Sequence, residues 1–132
     1  MKRDVKQVIV LRKDLNMRKG KMVAQGAHAS MKVIVDLMAH HDDGSLVIDE
    51  DSVTAAMRQW LEGAFAKVCV GVNSEQELGS IYQQAVDAGL PCSIITDAGR
   101  TEFNGVPTKT AVAIGPAYVD EIDLITGDLS LL

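Results

Sequence analysis

Short apolar runs alternate with longer amphipathic segments along this chain of 132 residues. Four runs rich in β-branched residues predict strands at residues 5–12, 67–72, 92–96 and 110–115. Apolar residues at helical spacing predict helices at residues 21–40, 52–63, 74–89 and 118–125. The predicted order is therefore strand, helix, helix, strand, helix, strand, strand, helix.

This order predicts an α/β fold, a three-layer sandwich in which a mixed four-stranded sheet carries helices on both faces. The first strand is expected to be central. The strand–helix–strand unit over residues 67–96 predicts a right-handed parallel crossover between the second and third strands. The third and fourth strands are close enough in sequence to form an antiparallel pair. The length, without a linker or an internal repeat, predicts a single domain over residues 1–132.

Several side chains are expected to mark where the elements begin and end. Ser52 and Ser74 stand where the N-caps of the second and third helices are predicted. Glu77 follows Ser74 by three residues, which is the spacing of a capping box. Pro116 is expected to end the fourth strand, because proline cannot donate a hydrogen bond to a neighbouring strand.

The start of the long helix carries the most distinctive polar pattern. Lys21, Gln25, His28 and Lys32 recur at steps of four, three and four, so they are expected on one helix face. The residues between them are small or apolar. Such a face is either a solvated surface or a recognition or reaction surface, and spacing alone leaves both interpretations open. The helix dipole favours an anion near Gly20 and Lys21.

The charge distribution changes the interpretation of a formal net charge of −5. Residues 1–32 carry +7 and the remaining residues carry −12. A basic segment of this kind builds a local positive field that attracts polyanions, unless the fold interleaves acidic loops with it.

Other sequence features exclude some classes of protein. No apolar run reaches the ~18–20 residues that span a bilayer, and the N-terminus lacks a signal-peptide core, so a cytoplasmic protein with no membrane partner is expected. Cys69 and Cys92 show no CxxC spacing and are expected to be buried thiols. Residues 40–43, HHDD, either bind a metal or form a solvated helix end; their spacing fits no defined zinc pattern, and no metal is expected.

Ligands in such sheets gather at the carboxyl ends of strands. The third strand delivers Asp97, Arg100 and Thr101 to that edge, and the first strand leads through a basic loop to Lys21. Two distant segments are therefore expected to meet there. An aspartate after a strand is alternatively only a turn former.

Three ordered blocks carry a family resemblance: GKMVAQGAHAS at residues 20–30, GLPCSIITDAGRTEF at 89–103 and GVPTKTAVAIGP at 105–116. Together they resemble the type 2 peptidyl-tRNA hydrolase family, with its Gly-Lys-x-x-Ala-Gln-x-x-His-Ala pattern, its Asp-Ala-Gly-Arg-Thr loop and its Thr-containing approach to an Ile-Gly-Pro strand end. The segment NGVPT, residues 104–108, departs from the Pro-Gly-Thr/Ser turn common in that family and is one residue longer. This departure affects the assignment of Thr108.

The resemblance implies hydrolysis of the ester between a peptide and the 3′-terminal ribose of tRNA, without a metal or other cofactor, by a homodimer. It implies catalytic roles for Lys21, Gln25, His28, Asp97 and Thr101. The residues expected to bind the tRNA acceptor end are Arg12, Lys13, Arg18, Lys19, Arg100 and Thr108.

A mechanism on these residues needs an oxyanion stabiliser and a positioned water. Lys21 is expected to stabilise the oxyanion or bind phosphate, and Asp97 either orients Lys21 or activates the water. Gln25, His28 and Thr101 position substrate or water, and His28 is alternatively a packing residue. A non-catalytic RNA- or protein-binding module and a hydrolase of another small ester or amide are the competing hypotheses. Turnover of acylated tRNA separates them.

Overall fold

The computed structural model describes residues 3–132 as a sheet with helices and one small hairpin. The strands are β1 (Val5–Arg12), β2 (Met38–His40), β3 (Leu46–Ile48), β4 (Lys67–Val72), β5 (Cys92–Asp97) and β6 (Thr108–Tyr118). The helices are α1 (Lys19–Val35), α2 (Ala55–Glu62), α3 (Glu75–Asp87) and α4 (Val119–Thr126), with a 3₁₀ turn at Glu50–Ser52.

The main sheet has the strand order β4-β1-β6-β5. Strand β1 is central, as predicted, and pairs parallel to β4 and antiparallel to β6. Strands β5 and β6 form the predicted antiparallel pair. Strands β4 and β5 run parallel to each other, as predicted, and α3 connects them from one edge of the sheet to the other, with β1 and β6 between them. The two most deeply buried strands, β1 and β6, take the two central positions.

The sheet buries a different apolar cluster on each face, because successive strand residues point to opposite sides. Val8 and Val10 of β1 belong to a cluster with residues of α3 and α4. Ile9 and Leu11 belong to a second cluster with residues of α1 and α2. The predicted three-layer α/β architecture is confirmed.

The long helix is shorter than predicted and ends at Val35. Residues 38–40, expected to be helical, form β2 and pair with β3 in a separate two-stranded sheet. Asp43 and Gly44 turn this hairpin: Gly44 has a φ of +88°, and Asp43 accepts hydrogen bonds from Ser45. An Asp-Gly pair between short apolar runs is a hairpin signal, and it overrides the helical pattern here.

The N-cap predicted from the sequence is found at α3 but not at α2. Ser74 caps α3 as predicted, and Glu77 accepts a hydrogen bond from the amide of Asn73. Helix α2 is capped by Thr54 and not by Ser52, which lies in the preceding 3₁₀ turn.

Strand β6 continues through Pro116 to Tyr118, so the prediction that this proline ends the strand is wrong. The pairing register between β1 and β6 shifts between Lys6 and Val8, opposite the proline. Such an irregularity accommodates a residue that has no amide hydrogen to donate. Strand β6 is 11 residues long, and it pairs with β1 on one side and with β5 on the other.

The two cysteines differ from the expectation of buried thiols. Cys69 in β4 is exposed, because α1 and α2 lie over β1, β5 and β6 and leave this part of the sheet uncovered. Cys92 is half-buried, and its burial raises the pKa of its thiol. Within residues 3–132 no helix is both long enough and apolar enough to cross a membrane.

Candidate active site

An ion pair between Lys21 and Asp97 forms the centre of the candidate site. Lys21 lies in the first turn of α1, and Asp97 is the last residue of β5. The Lys21 Nζ atom lies 2.9 Å from Asp97 Oδ1, and the two side chains are only 16% and 15% exposed. The predicted meeting of these two distant segments is therefore observed.

Two further side chains join this pair. Lys21 Nζ donates a second hydrogen bond to Thr101 Oγ1 at 3.2 Å. Gln25, one turn further along α1, donates from Nε2 to Asp97 Oδ1, also at 3.2 Å. The other carboxylate oxygen, Asp97 Oδ2, accepts from the amide of Gly99 at 2.9 Å. Both oxygens of Asp97 are thus engaged.

These contacts lower the pKa of the Asp97 carboxyl below its ordinary value. The hydrogen bond from Lys21 is the largest cause, and the Gly99 amide, the charge of Lys21 and the Gln25 amide act in the same direction. Burial opposes them by disfavouring the charged form. Asp97 is accordingly a stable anion that holds the ammonium group in place.

The network includes Thr110, which the sequence interpretation did not select. Thr110 in β6 is fully buried, and its Oγ1 donates to Gln25 Oε1. The available signal was a hydroxyl residue at the start of the apolar run TAVAIG, where a buried polar group needs a partner. Its partner could not be read from the sequence, because it lies 85 residues away.

The loop after β5 brings Thr101 to Lys21 through a tight turn at Gly99. Gly99 has a φ of +79°, and a Cβ atom there would lie 2.2 Å from the carbonyl oxygen of Val106. The amide of Gly105 donates to the Gly99 carbonyl at 2.8 Å, which closes the loop on itself. The Phe103 ring then lies with its centroid 5.7 Å from Lys21 Nζ.

Seven of the eleven predicted site residues lie outside this network, and three of the seven are not part of the exposed basic surface beside it. His28 is exposed on α1 and is two turns from Lys21. Thr108 donates its hydroxyl hydrogen to the Val106 carbonyl instead of joining Lys21 or Asp97. Arg12 is nearly buried: its guanidinium binds both carboxylate oxygens of Asp14.

The remaining basic residues form an exposed surface at the same end of the sheet. Arg18 and Lys19 stand at the start of α1, whose N-cap makes no side-chain hydrogen bond and whose first turn has no acidic residue. Arg100 is exposed in the loop next to Thr101, and Lys13 is exposed after β1. We call Lys13, Arg18, Lys19 and Arg100 the basic rim. This surface can attract phosphate groups to the site.

Residues 3–132 hold no cluster of three or more His, Cys, Asp or Glu side chains that could bind a metal ion. The exposed His40 and His41 lie at the end of β2, directly before the hairpin turn. What the central site offers is an ammonium group, an amide and a hydroxyl around one anchored carboxylate. An ammonium group in such a place can stabilise negative charge that develops on a carbonyl oxygen.

In this three-layer α/β fold the Lys21–Asp97 ion pair lies beside the basic rim. These features define a candidate hydrolase of an acylated polyanion. Comparison with known proteins gives the family. The family model for peptidyl-tRNA hydrolase PTH2 matches residues 5–132, and the chain belongs to that family.

Curated relatives agree with the family match. The chain is 47% identical over 128 residues to a peptidyl-tRNA hydrolase of Methanocaldococcus jannaschii, covering 97% of this chain and 100% of the relative. It is 42% identical to one of Sulfurisphaera tokodaii, covering 96% and 98%, and 44% identical to one of Halobacterium salinarum, covering 96% and 99%. The predicted family and the predicted class of enzyme, a hydrolase of peptidyl-tRNA, are confirmed.

Proposed function

We propose that the chain hydrolyses the ester between a peptide, or an N-blocked aminoacyl group, and the 3′-terminal ribose of tRNA at the Lys21–Asp97 centre. The observation that carries this assignment is the ion pair of 2.9 Å at the junction of α1 and β5, beside the basic rim. A module that only bound RNA would have no need of a carboxylate at an anion site, because the carboxylate repels phosphate. The enzyme is therefore favoured over the binding module.

In this mechanism Lys21 stabilises the oxyanion that forms when water attacks the ester carbonyl. Asp97 keeps Lys21 oriented, and its lowered pKa suits an anchoring anion better than a general base. Gln25 holds the Asp97 carboxylate through its amide, and Thr101 positions the ammonium group and the substrate. When the ester C–O bond breaks, the hydroxyl group of the attacking water remains on the carbonyl carbon of the peptide. The other proton of that water goes to the ribose oxygen, so that no other reagent is consumed.

The basic rim is proposed to hold the tRNA acceptor end. These four side chains are exposed, and Arg18 makes only a long ion pair of 3.8 Å with Glu102, whereas the guanidinium of Arg12 donates two hydrogen bonds to Asp14. We therefore assign Arg12 the role of fixing the loop that precedes α1. His28 is assigned a contact with substrate, because it is exposed on α1 outside the hydrogen-bond network. Because its substrate is a product of translation, we propose the cytoplasm as the place of action.

A homodimer is proposed through the outer face of α1. Val23, Ala27, Met31 and Val35 recur there at steps of four and are all exposed. Beside this ridge lies an apolar groove of about 410 Å³, which also reaches the uncovered surface of β1 and β4. A twofold axis would place the ridge of each copy in the groove of the other, which is a closed, self-complementary contact. The proposed occupant of the groove is therefore a second copy of the chain.

The test of the proposed activity is turnover of N-blocked aminoacyl-tRNA by Lys21→Ala and Asp97→Ala variants. We expect kcat to fall by about 10²–10³-fold in each. Lys6 and Asp123 provide a matched control, because they form an ion pair of 2.7 Å, and Lys6 is as buried as Lys21. Lys6→Ala and Asp123→Ala are expected to retain kcat. Full activity in both site variants would remove the proposed site.

A further inference from the structure

The buried amide of Gln25 joins two polar groups that belong to different strands. Its Nε2 donates to Asp97 of β5, and its Oε1 accepts from Thr110 of β6. Gln25 is 2% exposed and Thr110 is completely buried, so water does not compete for these contacts. The two ends of an amide have nearly the same shape, and only their partners decide which end points where.

The hydroxyl of Thr110 supplies the donor that the oxygen end of the amide requires. If the amide were reversed, Oε1 of Gln25 would face the carboxylate of Asp97, and two acceptors would repel each other. If the hydroxyl were absent, Oε1 would lose its donor in a buried place, which strongly favours a rearrangement of the side chain. Either change moves Nε2 away from Asp97 Oδ1, the same oxygen that binds Lys21.

Strand β6 can fix the position of the Gln25 amide, because it is paired with another strand on each side. It lies between β1 and β5, and Ala111, the residue after Thr110, is paired with Leu11 on one side and Ile95 on the other. Helix α1, in contrast, begins at an exposed end without a side-chain cap. A hydrogen bond from β6 to Gln25 therefore fixes the first turns of α1 relative to the sheet.

We propose that Thr110 is a positioning residue for hydrolysis: its hydroxyl holds the Gln25 amide so that Asp97 and Lys21 stay aligned for the reaction. This inference rests on the proposed role of Lys21 and Asp97. Because Thr110 is buried beneath Gln25, it acts through that side chain and does not contact the substrate. Its loss should consequently lower kcat and leave KM nearly unchanged.

Two substitutions at this position separate a hydroxyl role from a packing role. Thr110→Val keeps the shape and removes the hydroxyl, and we expect kcat to fall by about tenfold with KM within about twofold. Thr110→Ser keeps the hydroxyl and removes a methyl group, and we expect kcat within about twofold of the unsubstituted protein. The opposite order, with the Val variant active and the Ser variant impaired, would overturn the proposal. Thr126→Val is the matched control, because Thr126 is also buried but its hydroxyl donates to the carbonyl of Ile122 in its own helix, away from the site.

A double-mutant cycle with Gln25→Ala tests whether the effect passes through the amide. Once Gln25 is removed, Thr110→Val should cause no further loss of kcat. Two independent, multiplying losses would overturn the proposal. If Gln25→Ala is impaired and Thr110→Val is fully active, the inference about Thr110 fails alone. If Gln25→Ala itself is fully active, the proposed role of Gln25 in the site fails as well.

Nuclear magnetic resonance of the Gln25 side-chain amide gives a readout that does not depend on turnover. Its two protons should exchange slowly with solvent in the unsubstituted protein and in Thr110→Ser. They should exchange at least about tenfold faster in Thr110→Val, or in Thr110→Ala if the Val variant does not fold. Equal protection with and without the hydroxyl would overturn the proposal.

Discussion

The ammonium group of Lys21 and the carboxylate of Asp97, 76 residues apart in the sequence, lie 2.9 Å apart where α1 begins and β5 ends. Both side chains are mostly shielded from solvent, so their attraction is screened less than that of a surface pair. The same contact has two consequences: it contributes to the stability of the fold, and it holds a positive charge where an ester carbonyl can reach it. The predictions below separate these consequences.

The first prediction concerns the stability of the fold in acid. The folded-state pKa of Asp97 is lower than its ordinary value, so the carboxylate stabilises the fold at neutral pH. This stabilisation should be present above about pH 4, the pKa of an unperturbed aspartate, and should be lost as the pH falls through the lowered folded-state value. Urea unfolding of the unsubstituted protein and of Asp97→Asn should therefore give free energies that differ at pH 7 and converge toward pH 2.5. A difference that did not change with pH would contradict this account.

The second prediction concerns the turn at Gly99. Gly99→Ala places a Cβ atom against the backbone of Val106, at a position whose φ is positive. The loop therefore cannot keep its present conformation. We expect the free energy of unfolding to fall by at least about 2 kcal/mol, with a loss of kcat because Thr101 leaves Lys21. Thermal or urea unfolding and turnover measure the two effects.

Gly105→Ala is the control for this loop. Gly105 has a φ of +76°, but a Cβ atom there meets nothing within 4 Å. Only the backbone conformation opposes the change, and a loss of about 1 kcal/mol is expected. Equal losses at Gly99 and Gly105 would show that the contact with Val106 has no effect of its own.

The sequence allowed the centre of the site to be predicted because its two main residues follow local signals. Lys21 opens a helix and Asp97 ends a strand, and strand ends gather ligands in folds of this class. The family resemblance pointed to the same pair. Gln25 and Thr101 could be selected for the same reason, since each is close in sequence to one member of the pair.

The rest depended on contacts between distant segments. The link from Thr110 to Gln25 requires the position of α1 over the sheet, which no local pattern states. The sequence showed that Arg12 was basic but not that Asp14, two residues later, would bind it. Cys69 was expected to be buried because its strand is apolar, and it is exposed because no helix covers that part of β4.

The third prediction concerns the salt dependence of activity. The plot of log kcat/KM against log salt concentration should have a negative slope, and each lysine or arginine of the basic rim that contacts a phosphate should make that slope steeper by about 0.7–0.9. Arg18→Ala, Lys19→Ala and Arg100→Ala should each make this slope shallower. Arg58→Ala is the control, because Arg58 lies on α2 and pairs with Glu50 and Glu62. If the slope in all four variants were the same as in the unsubstituted protein, the proposed tRNA surface would be wrong.

The fourth prediction concerns Arg12, whose side chain is only 10% exposed. It donates to both carboxylate oxygens of Asp14 and to the carbonyl oxygen of Lys109, which connects the end of β1 to β6. Arg12→Ala should therefore lower the free energy of unfolding by about 1.5–3 kcal/mol, because charged and backbone partners lose their donors. Urea unfolding at pH 7 measures this. A loss no larger than that of Arg58→Ala would contradict the structural role assigned to Arg12.

The fifth prediction concerns the proposed dimer. Val23 is 72% exposed at the start of the ridge on α1, and an aspartate there would place a charge in the apolar groove of the partner. Val23→Asp should therefore convert the dimer to a monomer in sedimentation or light-scattering measurements. Leu124→Asp is the control, because Leu124 is 87% exposed on α4, on the opposite face of the sheet, and should leave the mass unchanged. A monomeric unsubstituted protein, or a dimer that survives Val23→Asp, would remove the ridge on α1 as the dimer contact and leave the assignment of Lys21 and Asp97 intact.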